Sequence, residues 1–164
     1  MTSYINLKIF NVCSLRTDLV LLLESSTQSL GELAWFDMPH GIAQRILVVD
    51  DASFMRNVLK DIIKSNGLAS EIFEAGDGVE GVKAYQKVKP DLVTMDVNMP
   101  KADGVQALRA ILKIDPGAKV VMITSVEEKH IVQDAMRLGA RDYVVKPFDR
   151  SNVPLVLNKV IRQK

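Results

Sequence analysis

Carboxylates, a hydroxyl and a lysine stand at the ends of short apolar runs along this 164-residue chain. Asp50-Asp51 follow Ile46-Leu47-Val48-Val49, Asp96 closes the run from Asp91, Thr124 follows Val120-Val121-Met122-Ile123, and Lys146-Pro147 follow Tyr143-Val144-Val145. Three carboxylates gathered within about 5 Å would repel by roughly 3 kcal/mol per pair at an effective dielectric of 20, so such a cluster calls for a cation. Oxygen donors completed by water suit Mg²⁺, or Mn²⁺, and no His or Cys stands at these run ends to recruit zinc. Lys146 adds a positive charge able to neutralise a phosphoryl oxygen, and Thr124 adds a hydroxyl donor. The set suits phosphoryl transfer. A lone Asp after a strand is ordinarily a turn or cap residue, which is the plain reading of Asp50 or Asp91 taken singly; recurrence at four run ends carries the argument.

The elements that must position these groups follow from periodicity. From Ile46 onward, apolar runs alternate with segments of helical period, the pattern of βα units around a parallel sheet. Phe54, Met55, Val58, Leu59, Ile62 and Ile63 repeat at helical spacing, with Ser53 as N-cap and Gly67 just past the end. Glu71–Ala75 reads as a second strand, and Asp77 with Glu80 as a capping box ahead of Val79, Val82 and Tyr85. The third strand, 91–96, leads through Asn98, Pro100, Asp103 and Gly104 into a helix bearing Val105, Leu108, Ile111 and Leu112, which Pro116-Gly117 end. A fourth strand at 120–123, a helix marked by Ile131, Val132, Ala135 and Met136, a fifth strand at 143–145 and a last helix from about Ser151 complete five units. Pro154 falls at the third helical position, where its missing N–H has no intrahelical partner in any case. The expectation is an α/β fold, a doubly wound five-stranded parallel sheet of the flavodoxin-like type, over residues 44–164. In such sheets ligands bind beyond the carboxyl ends of the strands, where the chemical groups lie.

Composition narrows the alternatives. With 48% hydrophobic and 25% charged residues the chain reads as an ordinary globular protein. A net charge of +1 argues against a strong bulk attraction to nucleic acid or anionic membrane. Leu19–Leu23, between Asp18 and Glu24, is far short of the about 20 residues of a membrane span and of the about 7 of a signal segment. Cys13 alone forms no intramolecular disulfide, which fits a reducing compartment, and a cytoplasmic location is expected.

Ile46–Asp51, Met95–Pro100, Ile123–Ser125 and Tyr143–Phe148 together resemble the receiver domain of two-component response regulators, most nearly the stand-alone, CheY-like chemotaxis receivers. The resemblance covers about residues 44–164 in the correct order and spacing. It implies that Asp96 accepts a phosphoryl group from a sensor histidine kinase of the chemotaxis type. It further implies that Asp51, Asp96 and the Asn98 backbone carbonyl bind Mg²⁺ with support from Asp50, that Lys146 pairs with the phosphoryl group and that Thr124 hydrogen-bonds it. Pro147 matches a cis proline of the family. Thr124 and Tyr143 match a switch in which the hydroxyl moves toward phosphate and the ring follows inward. Output would pass through helix four, strand five and helix five to a motor-switch or adaptor protein, and a phosphatase is a further partner. On helix five Val153, Val156, Leu157, Val160 and Ile161 share the core face while Leu155 lies opposite, on the implied docking side. Asn98 and Val126 fall where the family tunes dephosphorylation.

Other functions fit less well. A haloacid-dehalogenase-type phosphatase needs a second Asp two residues after its nucleophile, and Asn98 there cannot protonate a leaving group. A flavin binder needs a phosphate-cradling loop where Asp50-Asp51 would repel phosphate. A DNA-binding regulator would carry an output domain beyond Lys164, so direct nucleic-acid binding is not expected; a phosphorelay intermediate is the nearer alternative.

Residues 1–43 are read as an N-terminal extension of low order or a non-native start. They carry a net −2 against +3 for the rest. Ile5, Leu7 and Ile9 alternate as in a strand, Leu15, Leu19, Leu22 and Leu23 suit a helix, and Met38 offers an alternative start just before Pro39 and Gly41.

Overall fold

Parallel strands need a crossover between each pair, and the alternation of apolar runs with helical segments supplies one at every step. The computed structural model describes residues 43–125 and 129–163. Its elements are β1 (Ala43–Val49), α1 (Ser53–Ser65), β2 (Ala69–Ala75), α2 (Gly78–Val88), β3 (Leu92–Asp96), α3 (Gly104–Ile114), β4 (Val120–Ser125), α4 (Lys129–Leu138), β5 (Asp142–Lys146) and α5 (Asn152–Ile161). The strands pair in parallel in the order β2-β1-β3-β4-β5. The expectations placed on the first 42 residues and on Val126 lie outside the described residues. Among those described, no helix is long and apolar enough to cross a membrane.

Helices cover both faces, so the central strands read as continuous apolar runs rather than alternating ones. One core joins Leu47, Val49, Val93, Met95 and Met122 to Leu108, Ile111 and Ala135. The other joins Ile46, Val48, Leu92, Val121 and Val144 to Leu59, Ile63, Leu157 and Val160. Successive residues of one strand therefore feed opposite cores, as the two-residue side-chain period requires.

Helix starts follow local hydrogen bonding. The Asp77 carboxylate accepts the Glu80 N–H at 2.8 Å, whereas the Glu80 carboxylate takes the Gly76 N–H rather than that of Asp77, so the expected box closes one residue early. Asp103 caps α3 by accepting the Gln106 N–H at 2.7 Å. Pro154 occupies the third position of α5 as the sequence predicts. Ser53 does not cap α1. The Asp50 carboxylate accepts the Ala52 N–H at 2.9 Å, turning the chain one residue sooner, so Ala52 is the cap residue and Ser53 the first of the helix. Phe54 also departs from the expected apolar face and is 74% exposed, because the first turn of α1 begins at the rim of the sheet and only later turns bury Leu59, Ile62 and Ile63. Val79 and Met136 are exposed as well; on α2 the buried face is made by Gly78, Gly81 and Tyr85, and Gly81 lets the helix lie directly on Val49.

The loop after β3 is closely packed against its own strand. Gly104 donates its N–H to the Val97 carbonyl at 2.8 Å, and a Cβ on Gly104 would stand only 1.9 Å from the Asp96 carbonyl oxygen. No rotamer adjustment relieves a clash between two backbone positions, so the loop or α3 must shift. Gly104→Ala is expected to destabilise the protein by about 1–3 kcal/mol, the usual range for overpacking, as a lowered urea midpoint. A midpoint equal to the parent's would show that the close approach is not enforced.

Candidate functional site

The site grows from the register of the sheet. Val49 pairs with Met95, and Asp96 with Ile123, so Asp50 and Asp96 leave adjacent strands side by side at the carboxyl rim. Lys146 ends β5 two residues beyond Val144, the register partner of Ile123, and its side chain shares their face. The three meet: Lys146 Nζ donates to Asp96 Oδ1 at 2.6 Å and to Asp50 Oδ2 at 2.8 Å. Both carboxylates are buried. The Lys146–Pro147 peptide bond is cis.

Burial is the first influence on Asp96, and it pushes the carboxyl above its ordinary range; Lys146 pulls it down, while the charges of Asp50 and Asp51 raise it further. Burial by itself would lower the Lys146 ammonium, but hydrogen bonds and charge from Asp50 and Asp96 leave it above its ordinary value. Negative charge thus exceeds the single ammonium at this rim.

Among the described residues, no three His, Cys, Asp or Glu side chains stand close enough together to hold a metal ion. Lys146 draws Asp50 and Asp96 onto itself, and the remaining Asp50 oxygen takes the Ala52 N–H, whereas Asp51 and Asn98 are exposed on the loops beside the pair. The donor chemistry nonetheless fits a hard divalent cation: every side-chain donor is oxygen, and the carboxylates outnumber the ammonium.

Thr124 and Tyr143 belong to the other side of the sheet. Thr124 pairs in register with Val145 and is fully buried, with its hydroxyl 3.2 Å from the Ser125 carbonyl oxygen. Tyr143 is 44% exposed, so its ring is outside the core. Both line a cavity of about 410 Å³ whose wall continues along α4 through Val132, Gln133 and Met136.

Sequence reasoning missed Arg56. Its Nη1 donates to the Asp50 carbonyl oxygen at 2.8 Å and to that of Asp51 at 3.1 Å, and its Nε pairs with Glu74 at 3.2 Å. The available signal was a basic residue in the opening turn of a helix that has no acidic residue there. It also missed the ion pair of Lys101 with Asp77 at 2.6 Å, which ties the loop after β3 to the start of α2 and holds the Asp77 carboxyl below its ordinary range.

The family model described as "Response regulator receiver domain" matches residues 46–158. The chain belongs to this receiver family. The receiver is 45% identical over 119 residues to chemotaxis protein CheY of Thermotoga maritima, covering 73% of this chain and 98% of that protein. It is 43% identical to CheY of Bacillus subtilis, covering 73% and 99%. Among solved structures it is similar to the CheX-CheY-BeF3-Mg+2 complex from Borrelia burgdorferi, with a TM-score of 0.68, 35% identity, and coverage of 75% of this chain and 92% of that one. Receivers of this kind are signalling switches rather than catalysts of a metabolic reaction.

The raised Asp96 carboxyl gives a sign for stability. Asp96 protonates at a higher pH in the folded receiver than in the unfolded chain, so its charge at neutral pH opposes folding, and the cost fades as the pH falls through the carboxylate range. Asp96→Asn is expected to raise the urea midpoint at pH 7 in buffer free of divalent cations, with the gain narrowing as the pH falls toward about 4. A lower midpoint for the variant at pH 7 would contradict this charge assignment.

Proposed function

We propose that this receiver is a phosphorylatable switch whose acceptor is Asp96, charged by a sensor histidine kinase of the chemotaxis type and read by a motor-switch or adaptor protein. The observation that carries the reading is the buried Asp96 carboxylate held by Lys146 beside Asp50. The Asp96 carboxylate would attack the phosphorus of a phosphohistidine, forming the acyl phosphate as the imidazole leaves. Lys146 would follow the phosphoryl oxygens, and Thr124 would donate its hydroxyl to them. Asp51, Asp96 and the Asn98 carbonyl would hold Mg²⁺, or Mn²⁺, with Asp50 in support. A bound divalent ion offsets the phosphoryl charge and makes phosphorus more susceptible to attack. The protein would also catalyse loss of its own phosphoryl group, with Asn98 tuning the rate, and a separate phosphatase would act on it.

The chemotaxis role draws support from relatives named chemotaxis protein CheY. The Borrelia burgdorferi relative was solved with CheX, BeF3 and Mg+2, which supports a protein partner and the metal preference. Tyr143 exposed beside a cavity shared with buried Thr124 supports the switch pair. Phosphorylation would favour one of two existing arrangements, read along α4, β5 and α5 in the cytoplasm.

Two measurements test the reading. Acetyl phosphate with Mg²⁺ is expected to label Asp96; labelling disappears in Asp96→Asn and falls at least about tenfold in Asp51→Asn at limiting Mg²⁺, as loss of one metal ligand implies. Undiminished labelling of Asp96→Asn would overturn the assignment. Leu155 is 69% exposed on α5, and Leu155→Ser is expected to weaken a motor-switch partner by about tenfold, the size of one good apolar contact. Unchanged affinity would remove Leu155 from the docking face.

A further inference from the structure

Arg56 occupies the opening turn of α1, where the helix dipole disfavours a cation and no acidic side chain invites one. Its side chain is largely buried and reaches back out of the helix. The strand ladder ends just below it: the Asp50 N–H to Ala75 carbonyl bond, 3.2 Å, is the last between β1 and β2 at this rim. Beyond that point the Asp50 and Asp51 carbonyls have left the sheet, and the two Nη1 bonds take them up. Glu74 fixes the other side of the guanidinium. On β2 it pairs in register with Val48 of β1, and it accepts from Arg56 Nε at 3.2 Å and from Lys60 Nζ at 2.5 Å; these cations hold its carboxyl below its ordinary range. Meanwhile the start of α1 has no side-chain cap.

We propose that Arg56 is the positioning residue of the acidic pair: its guanidinium, oriented by Glu74, grips the Asp50 and Asp51 carbonyls and so fixes the direction in which both carboxylates leave the backbone. It touches no reacting atom and acts only through the turn between β1 and α1. Glu74, on a strand that carries none of the proposed reacting groups, is thereby tied to the site. The inference rests on the receiver reading where it concerns Mg²⁺, and on geometry alone where it concerns the turn. A lysine could supply the charge but not the planar fork that Arg places between two carbonyls and a carboxylate.

The test uses the full chain as Arg56→Gln, Arg56→Lys, Glu74→Gln and Arg56→Gln/Glu74→Gln, with two readouts. In metal-free protein, hydrogen exchange at the Ala52 amide, held by Asp50 in this turn, is expected to speed up by about tenfold in Arg56→Gln, the effect of losing charge-assisted hydrogen bonds. In acetyl phosphate labelling, the half-saturating Mg²⁺ concentration rises by about as much while the rate at saturating Mg²⁺ holds. Arg56→Lys and Glu74→Gln fall between parent and Arg56→Gln, and the double variant is no worse than Arg56→Gln, because both changes break one fastening. Exchange and half-saturation both within twofold of the parent would overturn the proposal, as would a lowered saturating rate with unchanged half-saturation. Should Arg56→Gln fail to fold, Arg56→Lys and Glu74→Gln carry the same readouts. Failure of the parent itself to label would instead strike at the receiver reading, leaving the exchange measurement to decide on the fastening.

Discussion

Asp50 and Asp96 are nearly as inaccessible as the apolar residues on which the strands pack, and an ionised carboxylate buried without a partner costs several kcal/mol. Lys146 answers both from one ammonium, at 2.8 and 2.6 Å. That contact joins the ends of β1, β3 and β5, although β4 lies between β3 and β5. It is satisfied but not balanced, because Asp51 adds a third negative charge at the same rim and helps to raise the Asp96 carboxyl. On the proposed function, a phosphoryl group on Asp96 would add more negative charge and draw the Lys146 ammonium toward itself.

Such a site needs rigid surroundings, since a loose loop would let the carboxylates turn out to water. The chain uses a different fastening on each side. After β3, the approach of Gly104 to the Asp96 carbonyl and the pairing of Lys101 with Asp77 lock the loop against α2 and α3. After β1, the Asp50 carboxylate secures the Ala52 N–H, and Arg56 takes the two carbonyls that have passed beyond the ladder. The buried carboxylates are tolerated here because both oxygens of Asp50 and one of Asp96 have donors.

What the sequence makes legible follows from the range of the forces involved. Continuous apolar runs such as Ile46–Val49 announce strands covered on both faces, and the cap at Asp77 announces a helix start, because each depends on residues within one turn. The rim residues were found because parallel topology delivers all strand ends to one edge. Contacts between elements were not legible. Nothing local says that Lys146 will join Asp50 and Asp96 and leave Asp51 exposed, that Arg56 will turn back to Glu74, or that Glu80 will bond to Gly76. Phe54 shows the same limit in the apolar direction: its spacing fits the buried stripe, but the first turn of α1 lies at the rim, where the sheet no longer covers it.

The two halves of the site sit on opposite faces, and that arrangement bears on how a chemical change could be read at a distance. Lys146 reaches the carboxylates on one face, while Tyr143, three residues earlier on the same strand, borders the α4 cavity on the other. Thr124 on β4 is the register partner of Val145, which lies between them, and it lines that cavity too. β5 has a single strand neighbour, because it lies at the sheet edge, so it is less constrained than β1 or β3. A change in the partner of Lys146 would therefore act on an edge strand, and the residues that would register an adjustment are Tyr143 and its neighbours along α4. The carboxylate pair and the face bordering the α4 cavity are thus kept apart, a separation that follows from the two-residue period of a strand covered on both sides.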